Sequence, residues 1–349
     1  MKNLKINYLL IALTATILIS SCRKDNIIPD PIDIKPVRKG LYILAEGGFN
    51  ANNSLLSYYD YETKVLVDDQ FKAANGRGLG DTGNDAQVYN NKLYVIVNVS
   101  STVEILDPVT AKSIKQISLK NGSVDRQPRY IVFNKNLAFI SCYDGTIAVL
   151  NTETLLIEKY ITVGSNPEQM AISNGKLYVA NSGGLNYPNY DKTVSVVDLT
   201  TLTEIKKITV TENPRGVVAD KYGDIYVLST GNYGSVKPAM AIIDSKTDLV
   251  TKTFDNFSAG SISIAGDIAY LTASKAIKVF NVKTETLEKD NFITDGTVIT
   301  TVYGVKADEV TGEVFVTDAK NYVSNGELFC FDEKGVKKYS LKAGVNPNG

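Results

Sequence analysis

Hydrophobic and polar residues alternate in short runs along most of this chain, from about residue 40 to the C-terminus. The stretch 167–210 shows the pattern most clearly, in four segments at residues 169–172, 176–181, 193–198 and 204–210. Each segment is rich in β-branched and aromatic residues, and turn-forming Asn, Gly or Thr residues separate it from the next. No window keeps apolar residues at helical spacing over three turns. The pattern therefore predicts a four-stranded antiparallel meander.

Two sequence markers indicate that this meander is repeated seven times. The first is a short strand of apolar and aromatic residues, with copies that begin at Leu41, Leu93, Leu137, Leu177, Ile225, Ile268 and Val314. The second is an apolar strand closed by an acid or amide, at Asp60, Asp107, Asn151, Asp198, Asp244, Asn281 and Asp332. A four-stranded repeat of about 40 to 50 residues is typical of a β-propeller blade. The sequence therefore predicts an all-β fold, a seven-bladed β-propeller.

The first and last residues of the repeated region suggest how the ring closes. The first unit begins near residue 40 and lacks the opening strand that later units have. Asn-Pro dipeptides open later units at residues 166–167 and 213–214, and the same dipeptide recurs in the C-terminal tail at residues 346–347. This tail could begin the missing strand, although it is very short.

The N-terminus resembles a bacterial export signal. Lys2 and Lys5 precede an apolar run at residues 8–19 that is short for a membrane span. The Ile-Ser-Ser-Cys that follows resembles a lipobox, which implies cleavage before Cys22 and lipidation of its sulfur. The alternative is a simple signal peptide followed by a chance cysteine.

These features predict the domain boundaries. We expect a signal peptide at residues 1–21, a lipidated cysteine with an extended proline-containing tether at 22–39, and one propeller domain at 40–349. Cys142 and Cys330 fall in blades three and seven, which are not neighbours in the ring. We therefore expect no disulfide between them and interpret both as small apolar fillers.

Composition excludes several classes of function. The chain has 37 basic and 38 acidic residues, which gives no indication of nucleic-acid binding, and it has no histidine. Catalytic triads and zinc sites that depend on histidine are therefore excluded. No carboxylate pairs recur at matching blade positions, so we expect a non-catalytic protein without a cofactor. A hydrolase or lyase that uses carboxylates and a metal is the alternative among enzymes.

The loops of a four-stranded blade emerge on two opposite faces. Turns between strands one and two, and between three and four, are short here, and we call their side the short-loop face. Loops between strands two and three, and the crossings between blades, are longer and rich in Tyr, Asn and Gly; their side is the long-loop face. These longer loops lie at residues 46–53, 75–85, 125–130, 183–191, 231–237 and 321–325. Loops of this kind commonly carry binding groups.

The candidate ligand-binding residues come from the long-loop face. They are Asn50, Arg77, Asp85, Arg126, Arg129, Tyr187, Tyr190, Arg215, Tyr233 and Tyr322. The arginines at blade entrances either point into a shared funnel towards an anion or pair with local carboxylates. The tyrosines either stack on a flat ligand, enter a partner's pocket, or pack on their own loops.

Two further stretches have weaker functional interpretations. Residues 76–80 superficially resemble a phosphate-binding loop, but no strand–turn–helix surrounds them, so an interblade loop is favoured. Asp81, Asn84 and Asp85 offer oxygen ligands of the kind that calcium prefers. Their spacing is not that of a calcium loop, so we expect solvated turn residues and no metal site.

Several segments resemble a known family. KLYVANSGGLNYPNYDKTVSVVDLTTLTEIKKITV and NPRGVVADKYGDIYVLS are similar to the repeats of YncE-like, surface-layer-type propellers. GLYILAEGGFNANNSLLSYYDYET and LGDTGNDAQVYNNKLYVIVNVSSTVEILD resemble a lipoprotein branch of that family from Bacteroidetes. Some members of that branch bind vitamin B12 at the cell surface and cap a TonB-dependent outer-membrane transporter. Others have no known ligand.

The resemblance implies a function that the residues alone do not. We expect a surface-exposed outer-membrane lipoprotein, monomeric when soluble, that binds a nutrient and passes it to a TonB-dependent transporter. A corrinoid such as cobalamin is one candidate ligand. A protein-interaction propeller that serves as an accessory subunit of an outer-membrane complex is the alternative.

Overall fold

The computed structural model describes residues 38–348, which form the seven β-sheets of a propeller. Six blades have four antiparallel strands in chain order, and the first blade has three. This confirms the predicted seven-bladed all-β fold. The expected signal peptide and Cys22 lie outside the described residues. Within residues 38–348, no helix has the length and apolar character that a membrane crossing requires.

The strands follow the repeat that the sequence markers predict. Blade 1 contains β1 (Gly40–Ala45), β2 (Leu55–Asp60) and β3 (Leu66–Val67), followed by helix α1 (Gln70–Asn75). Blade 2 contains β4 (Gly83–Tyr89), β5 (Lys92–Val97), β6 (Thr102–Leu106) and β7 (Ser113–Ser118). A hairpin of β8 (Lys120–Asn121) and β9 (Val124–Asp125) precedes blade 3, which contains β10 (Pro128–Asn134), β11 (Leu137–Cys142), β12 (Thr146–Asn151) and β13 (Ile157–Thr162).

The remaining four blades repeat the same order. Blade 4 contains β14 (Pro167–Ser173), β15 (Lys176–Asn181), β16 (Thr193–Asp198) and β17 (Thr203–Thr209). Blade 5 contains β18 (Pro214–Ala219), β19 (Asp224–Ser229), β20 (Ala239–Asp244) and β21 (Leu249–Asp255). Blade 6 contains β22 (Ile262–Ala265), β23 (Ile268–Ala273), β24 (Ala276–Asn281) and β25 (Thr286–Lys289). Blade 7 contains β26 (Val302–Ala307), β27 (Val314–Asp318), β28 (Asn325–Phe331) and β29 (Lys337–Val345).

The acid or amide that marks each blade builds the turn into its outermost strand. Asp198 Oδ1 accepts hydrogen bonds from the backbone N–H groups of Thr200 at 2.9 Å and Thr201 at 2.7 Å. Corresponding bonds are made by Asp60, Asp107, Asn151, Asp244, Asn281 and Asp332. Short Asp and Asn side chains suit such turns because they bond to backbone N–H groups two residues further on. The marker is therefore a structural signal.

The C-terminal tail supplies the opening strand that blade 1 lacks. Ala45 and Pro347 form an antiparallel bridge, and the N–H of Asn348 donates to the Leu44 carbonyl at 3.1 Å. The Glu46 N–H donates to the Asn346 carbonyl at 3.0 Å. Asn166 and Asn213 accept corresponding bonds where blades 4 and 5 open. The short tail therefore closes the ring with the hydrogen bonds used inside it.

The repeated asparagine has a conformational reason. Asn166, Asn213 and Asn346 have φ of 46°, 58° and 54°, in the left-handed region. Asn tolerates this region better than most residues with a side chain. An Asn-Pro dipeptide thus combines a left-handed residue with a proline at the first position of a strand, where no ladder N–H is needed.

Apolar side chains fill the spaces between neighbouring blades. One buried cluster joins Ile43 of blade 1 to Phe315, Leu328 and Cys330 of blade 7, so the closing interface is packed as well as hydrogen-bonded. Cys142 lies in the cluster between blades 2 and 3. Both cysteines are buried and unpaired in the described residues, which confirms their interpretation as apolar fillers. Burial raises the pKa of each thiol to about 12.

We predict that ending the chain at Val345 will destabilise the propeller. The truncation removes two backbone hydrogen bonds and the side-chain bonds of Asn346 and Asn348 to blades 1 and 2. At about 1 kcal/mol per bond, the free energy of unfolding should fall by roughly 3 to 5 kcal/mol. Guanidinium-induced unfolding followed by circular dichroism measures the change.

Two substitutions at Asn346 distinguish the effect of its backbone conformation from the effect of its side-chain hydrogen bond. Asn346→Gly keeps the left-handed backbone and loses only the side-chain bond, whereas the β-branched valine of Asn346→Val opposes that conformation. We expect Asn346→Val to be clearly less stable than Asn346→Gly. An unchanged unfolding midpoint after truncation would show that the tail does not close the ring.

Candidate functional site

A β-bulge opens the innermost strand of five blades, on the long-loop face. The register with the second strand shifts just after Gly83, Pro128, Pro167, Pro214 and Val302. The residue after each of these lies in the bulge, and we call this set the bulge residues: Asn84, Arg129, Glu168, Arg215 and Tyr303. Bulges re-aim side chains and are frequent beside functional sites. Here they place polar side chains at the mouth of the central channel.

Arg129 connects three neighbouring blades. Its Nε donates to Glu168 Oε2 in blade 4 at 2.9 Å, and its Nη1 donates to Asn84 Oδ1 in blade 2. The Tyr143 hydroxyl donates to the other oxygen of Glu168 at 2.6 Å, and the Tyr143 ring lies 4.8 Å from the guanidinium. Glu168 is only 1% exposed. A buried carboxylate is stable when it is paired and hydrogen-bonded, as it is here.

Glu46 extends this network to the ring closure. Its two carboxylate oxygens accept from the Tyr303 hydroxyl of blade 7 at 2.9 Å and from Asn348 Nδ2 of the tail at 2.8 Å. Asn348 Nδ2 also lies 3.0 Å from the Asn84 carbonyl, beside Arg129. One hydrogen-bonded network therefore links blades 7, 1, 2, 3 and 4 at the mouth of the channel.

Burial raises the pKa of two acids on this face, Glu46 in the network and Asp85 beside it. Burial raises the pKa of Glu46, while the Tyr303 hydrogen bond and the charge of Arg129 oppose part of that rise. Burial also raises the pKa of Asp85, against the N–H of Ile131 and the charge of Lys306. Both shifts favour the neutral acid, because burial removes these groups from water.

The predicted tyrosines of blades 4 and 5 form one cluster. Tyr190 lies edge-to-face against Tyr187 at 6.1 Å and against Tyr233 at 6.0 Å between ring centroids. Tyr187 is 74% exposed and Tyr233 is 69% exposed, so the cluster stands in solvent above the two blades. We call these three residues the tyrosine cluster. The loops pack against each other and still present aromatic surface outward.

The predicted arginines fall into three groups. Arg77 pairs with the buried Glu104 of blade 2 at 2.9 Å, and Arg126 pairs with Asp144 and stacks on a tyrosine of its own blade. Arg129 joins the interblade network. Arg215 makes no ion pair with any described residue. Of the three arginines at blade entrances, Arg126 and Arg129 therefore pair with carboxylates, and only Arg215 has no carboxylate partner among the described residues.

The other predicted residues lie apart from the tyrosine cluster. Asn50 is exposed, and its N–H donates to Asp81 Oδ1. Asp85 accepts from the Ile131 N–H of the next blade at 3.0 Å. Tyr322 packs edge-to-face on Tyr303 at 6.0 Å and so lies above the channel network.

The interpretation of Asp81, Asn84 and Asp85 as solvated turn residues is wrong. Asp81 is buried, and its carboxylate accepts N–H groups from residues 50 and 52. Asn84 is buried against Arg129. In residues 38–348 no group of three acidic or cysteine side chains is placed to hold a metal ion. These side chains instead fix the crossing into blade 2.

Sequence reasoning missed the partners that complete the network: Glu46, Tyr143, Glu168, Tyr303 and Asn348. A signal for Glu168 was present, because it follows Pro167 just as Arg129 follows Pro128 and Arg215 follows Pro214. Alignment of the blade openings would have found it. Glu46 and Tyr143 carry no such signal, since they come from loops.

Two open grooves flank the loops of the tyrosine cluster. One, of about 450 Å³, lies between blades 3 and 4 and is lined by Tyr143, Asn166, Asn186 and Asp191. The other, of about 460 Å³, lies beside Tyr233 and the crossing from blade 5 to blade 6. Both are on the long-loop face.

We predict that Glu46→Gln will flatten the pH dependence of stability. The raised pKa of Glu46 means that the folded protein prefers the protonated acid. Its contribution is therefore present below the ordinary pKa of about 4.5 and is lost as pH rises through the folded value. Wild-type unfolding free energy, measured by denaturant titration from about pH 4 to 8, should fall more steeply than that of Glu46→Gln.

Glu153→Gln, on the short-loop face of blade 3, controls for the change in net charge. Equal slopes for wild type and Glu46→Gln would contradict the assignment of this acid to the buried network.

Solved structures with the same fold differ widely from this chain in sequence. A quinonprotein alcohol dehydrogenase-like protein from Bacteroides thetaiotaomicron aligns with a TM-score of 0.66 and 17% identity, over 89% of this chain and 77% of that one. The computationally designed Ika8 protein aligns with a TM-score of 0.60 and 14% identity, over 90% and 87%. Hydrazine synthase of Kuenenia stuttgartiensis aligns with a TM-score of 0.58 and 14% identity, over 70% and 74%. At these identities the likeness shows the fold alone.

No curated protein matches the chain. A family model described as a domain of unknown function, DUF5074, matches residues 39–345, nearly the whole propeller. The chain therefore belongs to the DUF5074 family.

Proposed function

We propose that this chain is a non-catalytic binding propeller that captures a small nutrient on its long-loop face. The observation that carries the proposal is the tyrosine cluster, in which two blades bring three aromatic rings together and strongly expose two of them, Tyr187 and Tyr233. Tyrosine offers a large amphipathic contact area at low entropic cost, and exposed aromatic groups in contact with each other mark binding surfaces.

The surroundings of the cluster support a ligand of moderate size. The adjacent grooves, at about 450 and 460 Å³, fall within the range of small-molecule sites. Their linings mix amides and hydroxyls with apolar surface, which suits a ligand with many polar substituents around a flat core. A corrinoid is one such ligand, and the resemblance to cobalamin-binding lipoproteins motivates testing it first.

The absence of free reactive groups in the network supports a binding role. Both oxygens of Glu168 accept strong hydrogen bonds, and both oxygens of Glu46 do so as well. These hydrogen bonds hold the side chains at the mouth of the channel in place. No described carboxylate of the network is left without partners for acid–base chemistry.

The position of the first described residues supports attachment at the opposite face. Arg38 pairs with Asp308, and the Lys39 carbonyl accepts from the Tyr61 N–H, both on the short-loop face. Because the described chain begins at the short-loop face, the long-loop face stays free to meet a ligand and a TonB-dependent transporter. We therefore propose a surface-exposed, lipid-anchored outer-membrane protein that passes its ligand to such a transporter.

A protein partner alone is the second candidate function. Large apolar side chains other than the tyrosine cluster are also strongly exposed on the long-loop face: Phe49, Leu185, Val298 and Val323. Together with the tyrosines they spread over blades 1, 4, 5 and 7, which is broader than a small ligand needs. This spread favours contact with another protein.

We predict that cyanocobalamin binds the chain beginning at residue 23 and that the triple variant Tyr187→Ala, Tyr190→Ala, Tyr233→Ala loses most of this affinity. Loss of three aromatic contacts should weaken binding at least about 100-fold, since each stacked ring contributes on the order of 1 kcal/mol or more. Isothermal titration calorimetry measures both dissociation constants.

Tyr222→Ala is the matched control, because Tyr222 is an exposed tyrosine of blade 5 on the short-loop face. It should bind as the wild type does. If the wild type releases or absorbs no heat of binding at high micromolar cyanocobalamin, the corrinoid is excluded as the ligand and a protein partner becomes the favoured function. Equal binding by the triple variant would place the site elsewhere.

We predict that Cys22→Ser converts the protein from a membrane-bound to a soluble form. Lipidation requires the thiol, and acyl chains provide the anchoring energy. Cell fractionation and metabolic labelling with a fatty acid measure the change. Retention of label or membrane association in the variant would contradict lipidation at this residue.

A further inference from the structure

We propose that Arg215 is an anion-binding residue that receives a phosphate or carboxylate group of a ligand whose flat part lies on the tyrosine cluster. The inference rests on the proposed binding function of the long-loop face and adds the chemical class of the ligand. The ligand class is a planar ring system that carries one oxyanion.

Arg215 differs from the other arginines of the described chain. Four of them pair with a carboxylate, namely Asp308, Glu104, Asp144 and Glu168. Arg215 has no carboxylate of residues 38–348 within ion-pairing distance, although it occupies the bulge position next to that of Glu168. Both Glu168 oxygens are occupied by Arg129 and Tyr143. The guanidinium is therefore positioned without a counter-ion from the described protein.

The guanidinium is held in place from its inner side. Arg215 Nε donates to Asn213 Oδ1 at 3.1 Å, and Asn213 is fully buried. In this arrangement Asn213 Nδ2 has no acceptor among the described residues, whereas Nδ2 of the corresponding Asn166 bonds to the Tyr143 carbonyl. An unsatisfied buried donor is unfavourable for folding. The side chain of Asn213 thus accepts from Arg215, and its Nδ2 lacks the bond to a backbone carbonyl that Asn166 makes in blade 4.

A glycine lies directly beside the guanidinium. A Cβ on Gly184 would lie 3.3 Å from Arg215 Nη2, which is tighter than an ordinary contact. Gly184 belongs to the loop that carries Tyr187 and Tyr190. The loop therefore approaches the arginine closely without placing a side chain on it.

The positive charge of Arg215 lies beside the loop that carries Tyr187 and Tyr190. Partial removal from water raises the pKa of Tyr190, neighbouring tyrosines add to the rise, and the charge of Arg215 opposes it. At Tyr143, where burial also raises the pKa, Arg129 and Arg215 both oppose the shift. Arg215 is thus within electrostatic range of rings on both sides. Neither Nη group of Arg215 donates to a described residue, and such a pair of N–H donors suits a phosphate or carboxylate, which it binds through paired hydrogen bonds.

The test uses probe pairs that share a flat ring and differ in charge. Flavin mononucleotide is compared with riboflavin for phosphate, and naphthoate with naphthamide for carboxylate, on the full propeller chain by calorimetry. We expect the charged member of at least one pair to bind about tenfold tighter, as one charge-assisted pair provides. Arg215→Gln should abolish the difference, and Arg215→Lys should retain part of it.

Lys246→Gln is the control, because it removes one positive charge from the short-loop face of the same blade. It should preserve the preference for the charged probe. Equal affinities within both pairs, a preference that survives in Arg215→Gln, or binding of no probe would each overturn the proposal. The cyanocobalamin titration separates the two proposals. If cyanocobalamin binds but neither probe pair shows a preference for the charged member, the capture of a ligand by the long-loop face stands and only the anion-binding role of Arg215 is contradicted.

Discussion

Closure of the ring by the last three described residues is the constraint on which the rest of this structure depends. A blade buries its two faces only against its neighbours, so seven blades form a stable core only when blades 7 and 1 meet. Blade 1 has three strands of its own, and residues 346–348 pair with β1 where a fourth strand would begin. Their backbone hydrogen bonds correspond to those at the openings of blades 4 and 5. The apolar cluster around Ile43 and Cys330 seals the same interface.

The closing strand also completes the polar network at the mouth of the channel. Asn348 brings an amide to Glu46, and Glu46 connects through Tyr303 to blade 7. Arg129 continues the network towards Glu168. Removing one partner from such a buried ion pair typically destabilises a protein by about 3 to 5 kcal/mol. The network therefore makes the base of the long loops rigid, and ligand-binding loops work best on a rigid base.

Much of this fold could be predicted from the sequence, because its signals are local and repeated. Strand alternation and turn-forming Asp and Asn residues act within a few residues of chain and recur in seven blades, and the Asn-Pro dipeptide recurs three times. The face of each loop follows from strand order alone. For that reason the sequence predicts that Tyr187, Tyr190 and Tyr233 share the long-loop face, although up to 46 residues separate them; that their rings touch became visible only in the structure. The bulges were not predicted, because a shift of one residue depends on pairing between strands.

The parts of the site that sequence reasoning missed depend on contacts between blades. Arg77 and Arg126 were predicted to bind a ligand because they belong to loops of the long-loop face. In the structure their side chains instead pair with Glu104 and Asp144. Glu46 joins the network only because the tail returns beside it, some 300 residues later in the chain. Such contacts become visible only once the register of every blade is known.

Hydrogen–deuterium exchange on the whole chain, with and without saturating cyanocobalamin, tests the central claim most directly. We expect the amides of Glu46, Gly47 and Asn348 to be among the slowest in the free protein, since their N–H groups make the hydrogen bonds that close the ring. Ligand should slow exchange in residues 183–191 and 231–237 and leave the short-loop face unchanged. Fast exchange at the closure, or ligand protection confined to the short-loop face, would contradict a closed ring that presents its binding surface on the long loops.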